Sequence, residues 1–261
     1  MKDQYLLRSH LTEACQNMKR FYDGLSSYYS SFGLDLESNR GRRNILMSEP
    51  MEYFLAEELK KTNERVFADG RSGKADIIIL NGENETELEC KLTSPHESSG
   101  SICFQTDFET LEKKGSLDYI YIIANEDFSG FCAIYFKGLT IDDFRPLSPG
   151  ARGKVQMIKH HGMKKANVLI GEAIDLNQRS IQKLVDYQNS YEGETLNKIA
   201  DYNKKLDILR ETQIYDRNRI AEVVLNLKND LSERINKFEK EIIIKKNRKS
   251  RYTFRFETLE N

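Results

Sequence analysis

The chain is poor in cysteine, proline and tryptophan, and this scarcity excludes several classes of protein. Among its 261 residues are four cysteines and four prolines, and tryptophan is absent. The cysteines show no paired spacing of the kind that zinc sites use, so we expect reduced thiols and neither a zinc site nor disulfides. They are Cys15, Cys90, Cys103 and Cys132.

Long apolar runs and a large net charge are missing as well. No run approaches the roughly 20 residues that span a bilayer, and residues 1–4 lack the apolar core of a secretion signal. We therefore expect a cytoplasmic protein with no membrane partner. The net charge is -1, because 40 Lys and Arg balance 41 Asp and Glu, so any nucleic-acid contact has to come from local basic patches.

The most informative feature that is present is a predicted β-hairpin with acids on both arms. Two apolar-rich runs, residues 75–80 and 86–91, flank an Asn-Gly pair, which is a strong turn signal. The alternation of a β-strand puts Glu89 and Lys91 on one face. Asp76, on the neighbouring arm, is expected to join them.

Two converging carboxylates suit a hard divalent cation such as Mg²⁺, which prefers oxygen ligands and keeps several waters for substrate phosphates. A lysine beside the metal adds positive charge. Together they lower the pKa of a bound water and neutralise charge that builds on a phosphoryl group. The hairpin thus predicts a phosphodiesterase that uses Mg²⁺, with Mn²⁺ as a substitute.

The spacing of these residues resembles the active-site signature of the PD-(D/E)XK nuclease superfamily, to which most type II restriction endonucleases belong. Twelve residues separate Asp76 from the Glu-Cys-Lys triplet that begins at Glu89, and the resemblance covers roughly residues 44–137. Ala75 stands where the superfamily often has a proline. The resemblance implies an α/β protein, a restriction-endonuclease-like core with a central mixed β-sheet flanked by helices.

The resemblance also implies roles for individual residues. Asp76 and Glu89 would hold the metal, and the backbone carbonyl of Cys90 would add an oxygen ligand. Lys91 would orient or activate the attacking water. Superfamily members commonly carry a further acid on the first helix of the core, and Glu52 is the residue nominated here.

This first core helix is predicted from its apolar stripe. Ser48 is expected to cap it, with Pro50 in its first turn. Glu49 then lies at the helix start, and this position ranks it below Glu52 as a site residue. Further along, Phe104, Phe108 and Leu111 indicate a short helix. Strands are predicted at residues 117–124, 131–136, 155–158, 168–170 and 252–256.

The organisation of the chain is predicted in three parts. Residues 1–43 form a long amphipathic N-terminal helical segment, residues 44–175 the nuclease-like core with its DNA-contacting loops, and residues 176–261 a coiled-coil-like helical region with a basic tail. The C-terminal helices pack as a hairpin or on a second copy of the chain. A homodimer is favoured because its symmetry matches a palindromic DNA site.

Basic residues in loops near the core are the candidates for contacts to double-stranded DNA. The alternative for each patch is a solvated loop. The two adjacent histidines are interpreted as loop donors and not as metal ligands. The candidates are Arg40, Arg42, Arg43, Arg71, Lys74, Lys154, Lys159, His160, His161, Lys164 and Lys165.

These features favour a type II restriction endonuclease that cuts double-stranded DNA with Mg²⁺ and leaves a 5′-phosphate, as the superfamily usually does. One alternative is a repair, junction-resolving or modification-dependent nuclease with the same chemistry. The other is a non-catalytic coiled-coil protein that binds DNA or assembles complexes, in which the acids and the lysine are surface charges.

Overall fold

A computed structural model of the chain describes residues 5–68, 74–148, 153–209, 213–248 and 250–259. The chain divides into two compact units, one formed by Met1–Ile174 with Thr253–Asn261 and the other by Asp175–Tyr252. The second unit thus begins near the boundary predicted at residue 175. Residues 1–43, predicted as a separate segment, belong to the same unit as the core.

Helices occur at the start of the first unit, in short pieces within it, and throughout the second unit. They are α1 (Arg8–Ser31), α2 (Arg40–Leu59), α3 (Phe108–Lys114), α4 (Lys159–Gly162), α5 (Leu176–Ile208) and α6 (Ile214–Lys246). The strands of the central sheet are β1 (Arg65–Ala68), β2 (Ile77–Asn81), β3 (Asn84–Thr93), β5 (Leu117–Ala124), β6 (Gly130–Leu139), β8 (Ala166–Ile170) and β11 (Glu257–Thr258). Two-stranded sheets are formed by β4 (Gln105–Asp107) with β7 (Lys154–Gln156), and by β9 (Glu172–Asp175) with β10 (Tyr252–Arg255).

The central sheet has the strand order β1-β2-β3-β5-β6-β11, and β8 also pairs with β6. The β3–β5 pair is parallel, whereas its other strand pairs are antiparallel. The sheet is therefore mixed. The predicted α/β fold is confirmed in its central mixed sheet, its N-terminal helices and its two long C-terminal helices.

The two faces of this sheet pack into two separate apolar clusters. Helices α1 and α2 cover one face, where Leu88 and Cys90 of β3 are buried among residues such as Leu11 and Met51. The other face packs against α3 and the β4–β7 pair. The strand predicted at residues 117–124 corresponds to β5, whose interior is buried on both faces, as expected for a continuous apolar run.

The predicted start of the first core helix is wrong. Helix α2 begins at Arg40, and the side chain of Asn39 caps it by accepting a hydrogen bond from the backbone N–H of Arg42 at 3.0 Å. Ser48 lies inside the helix and donates its hydroxyl to the Ile45 carbonyl, while Pro50 is an interior residue. The helix therefore passes through a proline, which costs it a backbone hydrogen bond that apolar packing has to offset.

The predicted short helix is correct in its second half only. Helix α3 begins at Phe108, after an N-cap at Asp107 whose carboxylate accepts from the Thr110 N–H at 2.9 Å. Phe104 precedes strand β4 and is fully buried in the second apolar cluster. The spacing of the three apolar residues thus mimicked a helical stripe across a strand-to-helix junction.

In the second unit α5 and α6 pack on each other. The hydroxyl of Tyr191 donates to the carboxylate of Asp230, and the rings of Tyr187 and Phe238 lie 5.5 Å apart. The sequence left open whether these helices pack on each other as a hairpin or on a second copy of the chain. The contacts between α5 and α6 show the first of these arrangements within one chain. None of the helices in the described ranges carries an apolar stretch that could cross a bilayer.

Candidate metal centre

The β2–β3 hairpin places Asp76 beside the triplet that begins at Glu89. The two strands are antiparallel, and Ile77 lies opposite Leu88. Asp76, the residue directly before β2, therefore lies beside Glu89, the residue that follows Leu88 in β3. Its Oδ2 accepts a hydrogen bond from the backbone N–H of Cys90 at 2.7 Å. One carboxylate oxygen is therefore fixed on the strand that carries the other two groups.

Glu89 and Lys91 lie on the face of β3 opposite to Leu88 and Cys90, as the alternation predicts. In the parallel β3–β5 pair they lie opposite Tyr119 and Tyr121. The Nζ atom of Lys91 lies 2.5 Å from Oε1 of Glu89 and 3.6 Å from Oδ2 of Asp76. The structure thus brings the two acids and the lysine together around one point.

Glu52 lies on α2, where the charges of Asp76, Glu89 and Lys91 act on its carboxyl. It is half-buried, and burial raises the pKa of its carboxyl to about 7, with repulsion from Asp76 and Glu89 adding to the effect and Lys91 opposing it. The predicted position of Glu49 at the helix start is wrong, because Glu49 lies in the middle of α2. Its side chain is exposed, so Glu52 remains the better candidate for the centre.

The environment of Glu89 disfavours an isolated carboxylate. Burial raises the pKa of Glu89 above its ordinary value, Lys91 works against this, and Asp76 adds to it. The Oε2 atom is buried and has no hydrogen-bond partner among the described residues. For Lys91, burial disfavours the ammonium, but the two carboxylates outweigh it and raise the pKa above its ordinary value. The centre therefore has a buried oxygen without a partner, which a cation or a donor would satisfy.

The donor set fits a hard divalent ion that is only partly held by protein. Within the described ranges no three His, Cys, Asp or Glu side chains are close enough to hold a metal ion together. Asp76 and Glu89 nevertheless supply two carboxylates, and Mg²⁺ usually takes one or two from a protein. Water and substrate phosphate then complete its coordination shell. The unpaired Oε2 of Glu89 is the specific observation in favour of such an ion.

The predicted DNA contacts lie in very different surroundings. Arg42, Lys74, Lys154 and Lys164 are exposed and free to meet a phosphate. Arg40 is engaged, since it donates to the Pro95 carbonyl at 3.1 Å and pairs with Glu126.

Lys165 also has a structural partner, because it pairs with the buried Asp143 at 2.7 Å. Lys159 and His160 are half-buried. His161 is exposed, its Nδ1 lies 3.3 Å from the Asp142 carbonyl, and its ring lies 4.3 Å from that of His160. Arg71 lies outside the described residues.

Arg43 is a correction to the predicted DNA-binding set. Its side chain is fully buried, and the guanidinium donates to Ser94 Oγ at 2.9 Å and to the carbonyls of Asn125 and Glu126. It also lies 5.1 Å from the centre of the Phe128 ring. Because these contacts use the guanidinium inside the protein, Arg43 holds a loop to α2 and is not available to a DNA phosphate.

Residues that the sequence did not indicate also surround the centre. Asp107 adds to the charge that Glu89 experiences, and Tyr119, opposite Glu89, bonds to the Thr106 hydroxyl at 2.8 Å. Asp107 and Thr106 belong to β4, whose pairing with β7 joins segments far apart in the chain. A local apolar pattern carries no signal for such a contact.

Comparisons with protein-family models, with curated proteins and with solved structures found no match to this chain. The geometry of the centre, and the resemblance of its residue spacing to a nuclease signature, are therefore what indicate a function.

Proposed function

We propose that the chain is a Mg²⁺-dependent endonuclease that hydrolyses phosphodiester bonds of double-stranded DNA at a specific sequence, as type II restriction endonucleases do. The observation that carries the proposal is the convergence of Asp76, Glu89 and Lys91, with the lysine ammonium 2.5 Å from one carboxylate and 3.6 Å from the other. The resemblance of their spacing to the PD-(D/E)XK signature supports it.

Each residue has a part that follows from its contacts. Asp76 is held in place by the Cys90 N–H and presents its second oxygen, and Glu89 presents the oxygen that has no protein partner among the described residues. Bound there, Mg²⁺ would supply Lewis acidity and a water of lowered pKa. The Lys91 ammonium donates hydrogen bonds and places a positive charge where a phosphoryl group gains negative charge. Glu52 adds a third acid at the edge of the centre.

The test is cleavage of supercoiled plasmid by the purified protein with Mg²⁺. We expect cutting by the wild type, none with EDTA, and a loss of at least about 100-fold in Lys91→Ala, the scale of one removed charge-stabilising group. Lys113→Ala, which removes a lysine with a 78%-exposed side chain on α3, is the matched control and should cut normally. Cutting by Lys91→Ala at the wild-type rate would refute the assignment.

Two further arms separate the proposal from its alternatives. Discrete bands from unmodified plasmid support sequence-specific restriction, whereas cutting of methylated plasmid alone supports a modification-dependent nuclease. A non-catalytic assembly protein should bind no Mg²⁺ in calorimetric titration, and its heat signal should not change in Asp76→Ala. Sequencing the fragment ends reports both the site and the expected 5′-phosphate.

We also propose that the active form is a homodimer, because a palindromic duplex presents two equivalent strands to a two-fold protein. The second unit supports this with apolar side chains left on its surface, which pair well with a second copy. They are Ile208, Ile214, Tyr215, Leu225, Ile243 and Ile244. Analytical ultracentrifugation should give twice the mass of the chain, and a monomer at all concentrations would contradict this part.

A further inference from the structure

The small sheet beside the centre aligns three polar side chains from three segments of the chain. In the antiparallel β4–β7 pair, Gln105 lies directly opposite Gln156. On its other side, the carbonyl of Gln156 accepts a hydrogen bond from the backbone N–H of Arg145 at 2.8 Å. Gln105, Gln156 and Arg145 thus form one row across adjacent backbones, named here the Gln-Arg row.

The Gln-Arg row faces away from the core. Its sequence neighbours point inward, since Phe104, Thr106, Phe144, Val155 and Met157 are all buried. Gln105 and Arg145 are exposed, and Gln156 is half-buried. Successive side chains of a strand alternate between faces, so the inward anchors fix the outward direction of the row.

The free polar groups of the row belong to side-chain types that are suited to hydrogen bonds with base edges. The Nε2 atom of Gln156 donates to Cys103 Sγ at 3.1 Å, which leaves its Oε1 as an acceptor. No hydrogen bond or ion pair within the described chain uses the side-chain groups of Gln105 or Arg145. Gln is suited to adenine and Arg to guanine in the major groove, because each presents two hydrogen-bonding atoms in the required geometry.

Hydrogen bonds tie the row firmly to the strand beside the centre. Tyr121 donates its hydroxyl to the Gln105 carbonyl at 2.9 Å, and the hydroxyls of Tyr119 and Thr106 lie 2.8 Å apart. These tyrosines lie opposite Lys91 and Glu89 in the parallel β3–β5 pair. A duplex whose backbone reaches the metal centre would therefore lie close to the row.

Three basic side chains lie near the row. Arg145, Lys154 and Lys159 form no ion pair with any acid in the described ranges. Burial lowers the pKa of Lys159, the Cys103 thiol opposes this, and the positive charge of Arg145 lowers it further. Gln105, Arg145, Lys154 and Gln156 line an open cleft of about 600 Å³.

We infer that the Gln-Arg row enters the major groove of double-stranded DNA and reads base identity, with Lys154 and Lys159 on the flanking phosphates. The major groove, about 12 Å wide, admits a two-stranded β-ribbon. The deep, narrow major groove of duplex RNA does not admit side chains in this way, so RNA should compete poorly. The inference rests on the proposed function for its substrate class and adds the residues that choose the sequence.

A binding selection tests the inference separately from cleavage. The probe is a pool of duplex oligonucleotides with a randomised centre, incubated with the full chain and with Ca²⁺, which takes oxygen ligands in looser geometry than Mg²⁺. We expect the wild type to enrich a consensus. Arg145→Ala and Gln105→Ala should each lose preference at one base pair by about 10- to 100-fold and keep the other positions.

Two control variants distinguish base reading from general attraction. Lys154→Ala should weaken binding to all sequences alike and reduce its salt dependence, because a phosphate contact carries no sequence information. Gln178→Ala, an exposed glutamine on α5, should leave the consensus unchanged. Far-ultraviolet circular dichroism should show that each variant is folded, which the outward position of these side chains predicts.

Selection and cleavage test the base-reading role and the nuclease activity separately, so one can fail while the other holds. A consensus that Arg145→Ala and Gln105→Ala leave unchanged overturns the inference, as does a wild type that enriches no sequence. A wild type that cuts DNA without a consensus retains the proposed nuclease and removes the base-reading role. A wild type that selects a consensus altered by these variants, yet does not cut, supports the role and removes the nuclease.

Discussion

The Nδ1 atom of His10 accepts a hydrogen bond from the backbone N–H of Leu7 at 3.1 Å, at the start of α1. Because Nδ1 accepts, the ring proton lies on Nε2, which donates to the Thr62 hydroxyl at 2.8 Å. The histidine therefore acts as a helix cap only in its neutral form, and a second proton would remove the acceptor.

Stability should accordingly fall when the protein is acidified through the range in which His10 titrates. Burial lowers the pKa of His10 from 6.5, Glu58 opposes this, and Lys61 contributes to it. Since the folded pKa lies below the unfolded one, the stabilisation is complete above about pH 6.5 and is lost as the pH falls through the folded pKa. Urea denaturation between pH 8 and pH 5 measures it.

Matched variants assign this pH dependence to one side chain. His10→Gln retains an acceptor for the Leu7 N–H and should flatten the profile, and His10→Ala should cost about 1–3 kcal/mol at pH 8. His161→Gln changes an exposed histidine and should keep the wild-type slope. An unchanged slope in His10→Gln would show that another group is responsible.

Metal binding should stabilise the fold if the centre holds Mg²⁺. A tenfold excess of Mg²⁺ over its dissociation constant is expected to add about 1.4 kcal/mol to the free energy of unfolding. Asp76→Asn keeps an oxygen for the Cys90 N–H and removes the charge, so it should fold and lose this increment. Differential scanning calorimetry of the wild type and of Asp76→Asn, each with EDTA and with Mg²⁺, measures this stabilisation. Asp142→Asn changes an exposed acid and should gain the same stability from Mg²⁺ as the wild type.

Arg43→Met should destabilise the protein by about 2–4 kcal/mol, because it leaves two loop carbonyls and a serine hydroxyl without their donor. Arg42→Met, at the neighbouring exposed position, should change stability by no more than about 0.5 kcal/mol. Denaturant titration of both variants checks this. If Arg43→Met instead lost DNA affinity at full stability, the structural role assigned to Arg43 would be wrong.

Two glycines should respond to alanine in opposite directions. Gly171 has a φ of +71°, and an added Cβ would lie 2.3 Å from the Arg255 carbonyl, so Gly171→Ala should cost about 2–4 kcal/mol. Gly24 lies in α1, and a Cβ added there would meet no atom within 4 Å apart from the backbone of its own helix. Gly24→Ala should therefore raise the free energy of unfolding by about 0.5–1 kcal/mol. Thermal unfolding of the pair is the measurement, and equal effects would contradict the backbone argument.

Local patterns were enough to predict the hairpin, the strand at residues 117–124 and the long terminal helices. In each case the signal lies within one segment, as an alternation, a turn dipeptide or a helical repeat. The meeting of Asp76 with Glu89 and Lys91 belongs to this group, because a short hairpin fixes which residues are opposite.

The predictions that failed depended on contacts between distant segments. The interior position of Pro50 was hidden, since buried neighbours such as Met47 and Met51 decide whether a helix continues through a proline. Arg43 looked like part of a solvated basic run, although loop carbonyls more than 80 positions away in the chain hold it. The Gln-Arg row was missed because its residues belong to three separate segments, which only the pairing of β4 with β7 and the Arg145–Gln156 hydrogen bond bring side by side.

The hairpin that carries the acids also limits how this chain can change by insertion. Its arms are joined tightly, with Asn81 paired to Asn84. One extra residue on each arm near the turn would leave Asp76 beside Glu89. A single extra residue would have to be expelled into the turn, or it would rotate Glu89 and Lys91 to the side that the helices cover. Related chains should therefore lengthen or shorten this hairpin by the same number of residues on each arm. The total length of the hairpin should then change only by even numbers.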